Sequence, residues 1–331
     1  MRRLRAARLS LAILLVLGLQ AGGGWVRGAP AVTSAWPPYH WPIKPFNQQH
    51  PLQAAFGDPR TIGKSQPFGR TGPWVDGAHS FHNGVDVAAE PGTRVYPVVS
   101  GLVVAATEGK IVVRTADGRA FQYDHLARAV HRGETAVAGR TVLGRVTERR
   151  SHVHLAEIDD GRIQNPLAPG HLEPYRDWTR PSAKGLYIDN GHSVRPVGDR
   201  PVAPHDRLVV AAVDPPARPL QAPYAGLPQT PALVEWRLVH WPTRTPWRVA
   251  ADFRQTEPPP RDFWNVYAPG TYQNCPVFDQ RLFNGTPGRY LFRVDLDRSR
   301  FRVGHYRFEV RVADVRGNSS TASWRIRLVT S

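Results

Sequence analysis

The sequence predicts an all-β protein with two successive antiparallel parts. Short apolar segments alternate with turn signals along its 331 residues, and 32 prolines and 29 glycines are spread among them. Proline and glycine favour turns and interrupt long helices, and no helical pattern of three turns is evident in the first part. An apolar content of 41% is typical of a folded globular chain, and the length allows two domains with cores of their own.

The first part, residues 50–178, is predicted to be an antiparallel sheet or barrel. Turn signals such as Glu90-Pro91-Gly92 and Ala116-Asp117-Gly118 separate its apolar segments. The strand-like segments are 95–99, 101–106, 111–114, 120–123 and 153–158. Its end is marked by the proline-rich stretch that precedes Trp178.

The second part, residues 186–331, is predicted to be a β-sandwich of immunoglobulin or fibronectin type. Six or seven strand-like segments occur over this length with turns between them. The alternation is clear near the end, where Tyr306, Phe308, Val310 and Val312 fall on one side of a strand. Residues 255–288 form a long irregular segment that the pattern does not place.

Residues 1–28 are predicted to be a signal peptide that directs export to the periplasm or the cell exterior. Four arginines lie within the first eight residues, an apolar run follows at 9–19, and small residues come after it. The run is about half the length that spans a bilayer, which favours cleavage over a permanent anchor. Residues 29–49 are an extended lead-in rich in proline and tryptophan, which either packs on the next domain or plugs its cleft.

The charge and the cysteine count narrow the partners and the type of metal site. The formal net charge of +16 favours anionic partners such as wall polymers, although a high arginine content also follows from genome composition. No nucleic-acid-binding module is recognisable, so we expect no nucleic-acid partner. The single Cys275 excludes an intramolecular disulfide and a zinc site made of cysteines.

Three short strings in the first part concentrate imidazoles and carboxylates. They read HNGVD at 82–86, YDHL at 123–126 and HVH at 152–154. Because successive side chains of a strand point to opposite faces, His152 and His154 point to the same side, about 7 Å apart. His82 and Asp86 share a face in the same way where the backbone is extended.

Two neutral imidazoles and one carboxylate provide three ligands for Zn²⁺ and leave a fourth position for water. Zinc in such a site lowers the pKa of water and polarises the carbonyl under attack. The glutamate of a HExxH helix is absent. His125, and whichever of His152 and His154 is not a ligand, are available for proton transfer because imidazole titrates near neutrality.

The strings resemble the motifs of the LytM or lysostaphin-type zinc peptidases, family M23, also called the duplicated hybrid motif domain. The HxxxD, YxHL and HxH motifs of that family match in order and spacing. The resemblance implies that His82, Asp86 and His154 hold one zinc ion per chain. It also implies that His125 and His152 flank the attacking water and the oxyanion.

The resemblance implies an endopeptidase that cleaves peptide bonds of bacterial peptidoglycan, and the predicted signal peptide makes it an exported one. We expect the second domain to position the enzyme or to bind a protein or a wall partner. An alternative is a weakly active or inactive wall-binding or regulatory protein with the same fold. Residues 147–150, Thr-Glu-Arg-Arg, replace the glycine- and serine-rich loop of the family and motivate that alternative. A third interpretation keeps the zinc peptidase and makes its substrate a glycine-rich protein. The oligomeric state stays open.

Overall fold

Antiparallel strands make up nearly all the regular structure, which confirms the predicted all-β class. A computed structural model describes residues 37–61, 79–148, 150–191, 193–258, 263–274 and 287–330, all within one compact unit, Val32–Ser331. Three features of the sequence lie outside the described residues: the predicted signal peptide, residues 29–36 of the lead-in, and Cys275. No helix in the described part is long and apolar enough to cross a membrane.

The first half of the described chain forms a ten-stranded sheet and a two-stranded ribbon. The ribbon pairs β2 (Pro59–Arg60) with β3 (Ser80–Phe81). The strands of the sheet are β1 (Leu52–Ala54), β4 (Val85–Ala88), β5 (Arg94–Val95), β6 (Gly101–Thr107), β7 (Gly109–Arg114), β8 (Ala120–Arg128), β9 (Thr135–Ala136), β10 (Gly144–Val146), β11 (His152–Asp159) and β12 (Arg162–Gln164).

Strand β11 lies at the centre of this sheet, between β4 and β8, in the order β1-β4-β11-β8-β7-β6-β9. Its register places His154 opposite Asp86 on one side and Asp124 on the other. Val153 and Leu155 alternate with the histidines and are fully buried. The alternation therefore fixes which face of β11 carries the imidazoles, because the apolar residues must face the core.

The second half contains a four-stranded and a six-stranded sheet. The strands are β13 (Ser182–Asp189), β14 (Val194–Pro196), β15 (Pro201–Val202), β16 (Arg207–Val213), β17 (Leu233–His240), β18 (Thr243–Arg244), β19 (Arg248–Asp252), β20 (Leu291–Val294), β21 (Gly304–Ala313) and β22 (Ser319–Leu328). Their order is β14-β13-β16-β20 in the first sheet and β15-β22-β21-β17-β18 in the second, where β19 also pairs with β17. Two sheets agree with the predicted sandwich architecture, and the immunoglobulin type stays a prediction.

The two halves share one hydrophobic core and several buried polar contacts. Gln229 Nε2 donates to the carbonyl of Leu52 at 2.6 Å, and the backbone N–H of Thr230 donates to Asp58 Oδ1 at 2.7 Å. Such buried bonds hold the second half against the strands that precede the HNGVD string. The predicted division into domains at residues 178 and 186 stays a prediction.

The irregular segment 255–288 packs against the first half where it is described. It contains the helix α1 (Phe263–Val266), and a short 3₁₀ turn, Arg298–Arg300, occurs later in the chain. Tyr267 is fully buried and donates its hydroxyl to the carbonyl of Gly57 at 2.8 Å. Phe263 and Tyr267 contact Phe81, the residue before His82. This aromatic cluster therefore supports the end of β3, next to the HNGVD string.

Candidate metal centre

Three side-chain atoms from two neighbouring stretches of the sheet converge at one point. His82 Nε2 lies 3.0 Å from Asp86 Oδ1 and 2.9 Å from His154 Nδ1, and His154 Nδ1 lies 3.0 Å from Asp86 Oδ1. The three residues are at most 8% exposed. The sequence predicts these three as metal ligands, and the antiparallel pairing of β4 with β11 brings them together.

Hydrogen bonds to neighbouring residues orient the side chains of His82 and Asp86 toward the point where the three atoms meet. His82 Nδ1 lies 2.8 Å from the carbonyl oxygen of Ala55, which requires Nδ1 to be the donor and leaves the lone pair of Nε2 available. Arg60 Nη2 donates to Asp86 Oδ2 at 3.0 Å, so Oδ1 is the oxygen that faces the two imidazoles. Neither Ala55 nor Arg60 belongs to a motif, and the sequence gives no local signal for them.

The donor set fits a zinc ion. Zinc bonds of about 2.0–2.1 Å in a tetrahedron place neighbouring ligand atoms about 3.3 Å apart. The three atoms here are 2.9–3.0 Å apart, so a small outward movement of the side chains matches that geometry. The mixture of imidazole nitrogen and carboxylate oxygen also suits zinc, and a fourth position remains for water or substrate.

The protonation states of the centre favour cation binding. Burial first, and then the positive charge of Arg60, lowers the pKa of His82 to about 3, so its imidazole is neutral at pH 7. Burial acts to raise the pKa of Asp86, but the imidazoles of His82, His152 and His154 around its carboxylate hold that pKa well below its ordinary value. A metal requires deprotonated ligands, and these groups meet that requirement.

His152 and His125 lie beside the three convergent atoms. His152 Nε2 is 3.7 Å from Asp86 Oδ1, and the rings of His152 and His125 meet edge to face with centroids 4.7 Å apart. Burial, followed by the charges of His152 and Arg150, lowers the pKa of His125 to about 4. Burial also lowers the pKa of His152. Both side chains are therefore neutral imidazoles at pH 7, able to accept a proton.

His125 has a left-handed backbone, with φ of 70°. This conformation is uncommon for a residue other than glycine, and such residues cluster at functional sites. The conformation lies within β8, one residue after Asp124, which pairs with His154. A strand pattern alone does not predict it, because alternation assumes a regular extended backbone.

The centre opens into a cleft of about 520 Å³. Both signs of charge line the cleft, from Arg60 and Lys110 and from Asp124 and Glu257. Its other lining residues are His79, Ser80, Phe81, His82, Asn83, Asp86, Gln122, His125, His154 and Ile163. Glu257 belongs to the second half, so the wall of the cleft includes a residue far from any predicted motif.

The described part of the lead-in does not line this cleft. Instead Tyr39 and Trp41 are buried in the chain's hydrophobic core, and Trp41 Nε1 donates to the carbonyl of Pro174 at 2.9 Å. Of the two alternatives for residues 29–49, packing on the domain therefore describes residues 37–49. Residues 29–36 lie outside the described residues.

Gly84 gives the ring of His154 the space that it occupies. A Cβ at Gly84 would lie 2.7 Å from His154 Cε1 and 2.8 Å from His154 Nε2, and it would also clash with the carbonyl oxygen of Leu155. The oxygen belongs to the central strand and cannot move freely. The glycine in HNGVD is therefore a steric requirement for the position of the His154 imidazole.

Replacement of Gly84 by alanine should displace His154 and weaken zinc binding. Loss of a supporting contact around a metal ligand typically costs about 10–100-fold in affinity, and we expect a loss in this range. Competition with a chromophoric zinc chelator measures the affinity. Asn83→Ala is the matched control, since it changes the adjacent residue without placing a new atom against His154; equal affinities for the two variants would contradict the steric role.

Part of this chain matches a known protein family. Residues 80–166, from β3 to just beyond β12, match the model of Peptidase family M23. No curated protein gives a significant match.

Several solved structures are similar to part of this chain. A zinc-containing peptidase from Vibrio cholerae is 22% identical, over 39% of this chain and 39% of its own, with a TM-score of 0.29. A mutant of the catalytic domain of EnpA, a prophage-encoded M23 protein from Enterococcus faecalis, is 25% identical over 32% of this chain and 92% of its own, with a TM-score of 0.24. A chain of the SpoIIQ–SpoIIIAH pore-forming complex is 21% identical over 40% of this chain and 89% of its own, with a TM-score of 0.29.

Proposed function

We propose, from the membership of residues 80–166 in peptidase family M23, that this chain is an exported zinc metalloendopeptidase that cleaves peptide bonds of bacterial peptidoglycan. One observation carries the proposal. His82 Nε2, Asp86 Oδ1 and His154 Nδ1 lie within 3.0 Å of one another, beside two further neutral imidazoles and at a cleft. Because His82 Nδ1 donates to the carbonyl of Ala55, the lone pair of His82 Nε2 faces the carboxylate oxygen of Asp86, and a bound cation would satisfy both atoms.

In this mechanism His82, Asp86 and His154 would hold the metal. A bound zinc ion supplies Lewis acidity toward water and the scissile carbonyl. His125 and His152 are the groups for proton transfer. As a neutral imidazole, one of them accepts the proton that the attacking water loses, and the proton then passes to the amine leaving group. His152 Nε2 lies 3.7 Å from Asp86 Oδ1, and His125 packs against His152 with ring centroids 4.7 Å apart, so both imidazoles are beside the three convergent atoms.

The lining of the cleft suits a peptide that carries both positively and negatively charged groups. Arg60 and Lys110 can contact carboxylates of a substrate, and Asp124 and Glu257 can contact its amino groups. The net charge of +16 adds a general attraction to anionic wall polymers. The proposal therefore places peptidoglycan peptides in the cleft and leaves the second half to contact a protein or a wall component.

Mass analysis of products from a defined cross-linked peptidoglycan fragment tests this function. The full-length protein with equimolar zinc should release two fragments whose masses add up to the substrate plus one water. Removal of zinc by a chelator should stop the release, and added zinc should restore it. Binding to the fragment at full zinc occupancy without any product would instead favour the wall-binding alternative.

Replacement of His125 or His152 by glutamine should lower kcat while zinc binding is kept. Loss of a positioned proton acceptor typically costs about 10²–10⁴-fold in rate, and we expect each variant in this range. Zinc content by atomic absorption separates this loss from a loss of the metal. His131→Gln is the control, since His131 is exposed and contacts Arg128 outside the cleft. Loss of zinc in the His152 variant would contradict the division of roles between His152 and His154.

A further inference from the structure

A second cluster of ligand-type side chains lies away from the histidine centre. One carboxylate oxygen from each of Asp177, Asp214 and Asp314 lies within 4.8 Å of the others. The three residues are 6%, 6% and 2% exposed. Three carboxylates at this distance repel one another strongly in a buried environment, so the arrangement needs a compensating positive charge or a bound proton.

Hydrogen bonds hold two of the three carboxylates in position. Asp177 Oδ1 accepts from the N–H and hydroxyl of Thr179, at 2.8 and 2.6 Å, and its Oδ2 accepts from the Tyr175 hydroxyl at 3.2 Å. Asp314 accepts from the N–H groups of Arg316 and Asn318 at 2.8 and 2.9 Å and from Asn318 Nδ2 at 2.6 Å. In both residues Oδ1 accepts two hydrogen bonds and Oδ2 accepts one, so the orientation is fixed while Oδ2 keeps a free lone pair.

Asp214 differs, because its side chain has no such support. Its Oδ1 atom is buried and has no hydrogen-bond partner among the described residues. Burial first, and then the charges of Asp177 and Asp314, raises the pKa of Asp214 to about 9. An unpartnered buried carboxylate oxygen beside two oriented carboxylates is the arrangement expected where a ligand supplies the missing contact.

No basic side chain in the described part of the chain neutralises the cluster. The guanidinium of Arg316, two residues beyond Asp314, donates to Glu173 Oε1 at 2.9 Å and lies over the ring of Tyr175. The ion pairs formed by described residues do not include Asp177, Asp214 or Asp314. The compensating charge is therefore not a side chain of this region.

We propose that Asp177, Asp214 and Asp314 bind one calcium ion. All the donors are carboxylate oxygens, which suit a hard cation and not zinc, whose sites in proteins use nitrogen or sulfur as well. Calcium accepts an irregular oxygen shell of six to eight ligands, whereas magnesium requires a regular octahedron and usually keeps several waters. Buried carboxylates arranged without regular symmetry therefore favour calcium.

The ion would join three separate segments of the chain. Asp177 lies in the connection between the first half and β13, Asp214 directly follows β16, and Asp314 begins the turn between β21 and β22. Asn318 already links two of them, since its Nδ2 donates to the carbonyl of Asp177 at 2.9 Å as well as to Asp314. Calcium at this point would hold both sheets of the second half to the end of the first half.

Thermal unfolding of the full-length protein with calcium tests the site. The protein is first saturated with zinc, so that calcium does not act at the histidine centre. About 5 mM calcium should raise the unfolding midpoint of the wild type by roughly 5 °C, because a ligand that binds only the folded state stabilises it. The Asp214→Asn variant should lose this shift, and without calcium it should be about as stable as the wild type, because the raised pKa of Asp214 keeps that carboxyl protonated at neutral pH until an ion binds.

Asp199→Asn is the matched control, because it makes the same charge change at an exposed aspartate and should keep the full shift. Terbium luminescence excited through Tyr175 gives a second measurement on the wild type alone, with a saturable signal that calcium displaces. A wild type that calcium does not shift, or an equal shift in the Asp214 variant, would overturn the site. An equal shift with magnesium would overturn the assignment to calcium. Each of these outcomes leaves the peptidase proposal untouched, because the two centres share no residue.

Discussion

Replacement of His154 by alanine should lower the rate of peptide hydrolysis by about 10³-fold or more. The metal contributes several kcal/mol to stabilisation of the transition state, and each 1.4 kcal/mol corresponds to a factor of ten in rate. Without His154, only two of the three proposed ligands remain, namely His82 and Asp86, and two protein ligands do not bind zinc tightly. Initial rates on the defined peptidoglycan fragment, with one equivalent of zinc, measure the effect.

The matched control is His131→Ala, which removes an exposed imidazole outside the cleft and should leave the rate unchanged. Zinc content of both variants must be measured beside the rates. A His154→Ala variant that cleaves at the wild-type rate would contradict the metal centre and with it the proposed mechanism.

Replacement of Glu157 by alanine should lower the free energy of unfolding by about 3–5 kcal/mol, the range observed when one partner of a buried ion pair is removed. Glu157 is fully buried and accepts from the Tyr39 hydroxyl at 2.6 Å and from His171 Nδ1 at 2.7 Å. Arg119 Nη1 lies 3.6 Å from its other oxygen. Loss of the carboxylate leaves these three buried groups without their shared acceptor. Urea-induced unfolding measures the change.

Glu134→Ala is the control for this substitution, since its side chain is exposed and the change should alter stability by less than about 0.5 kcal/mol. The Glu157 variant should keep its zinc when folded, because Glu157 lies three residues beyond the last ligand and does not line the cleft. Equal stabilities for the two variants would mean that the buried network contributes little to the fold.

Local patterns predict the strands of the sheet and the shared faces of the histidines, and the resemblance to family M23 adds the assignment of the candidate metal ligands. Alternation along β11 predicts that His152 and His154 share a face, and the close approach of both to Asp86 agrees with it. The four-residue spacing of His82 and Asp86 likewise predicts that the two side chains share a face, and His82 Nε2 lies 3.0 Å from Asp86 Oδ1. Signals of this kind survive in a single sequence because the strand period relates residues that are two or four positions apart.

The surroundings of the centre do not follow from local patterns, because contacts between distant segments create them. Glu257 reaches the cleft from a segment that the sequence leaves unplaced, and Arg60 contacts Asp86 from across a ribbon. No motif marks His171, yet it is a buried partner of Glu157. Asp177, Asp214 and Asp314 are equally inconspicuous, since more than 130 positions separate the first from the last. Their meeting depends on how the sheets of the second half pack.

Diffraction from crystals of the zinc-loaded protein, measured at the zinc absorption edge, tests the central claim most directly. We expect one strong anomalous peak per chain, bonded to His82 Nε2, Asp86 Oδ1 and His154 Nδ1 at about 2.0–2.2 Å. A peak at other residues, or none at this centre with equimolar zinc, would contradict the account.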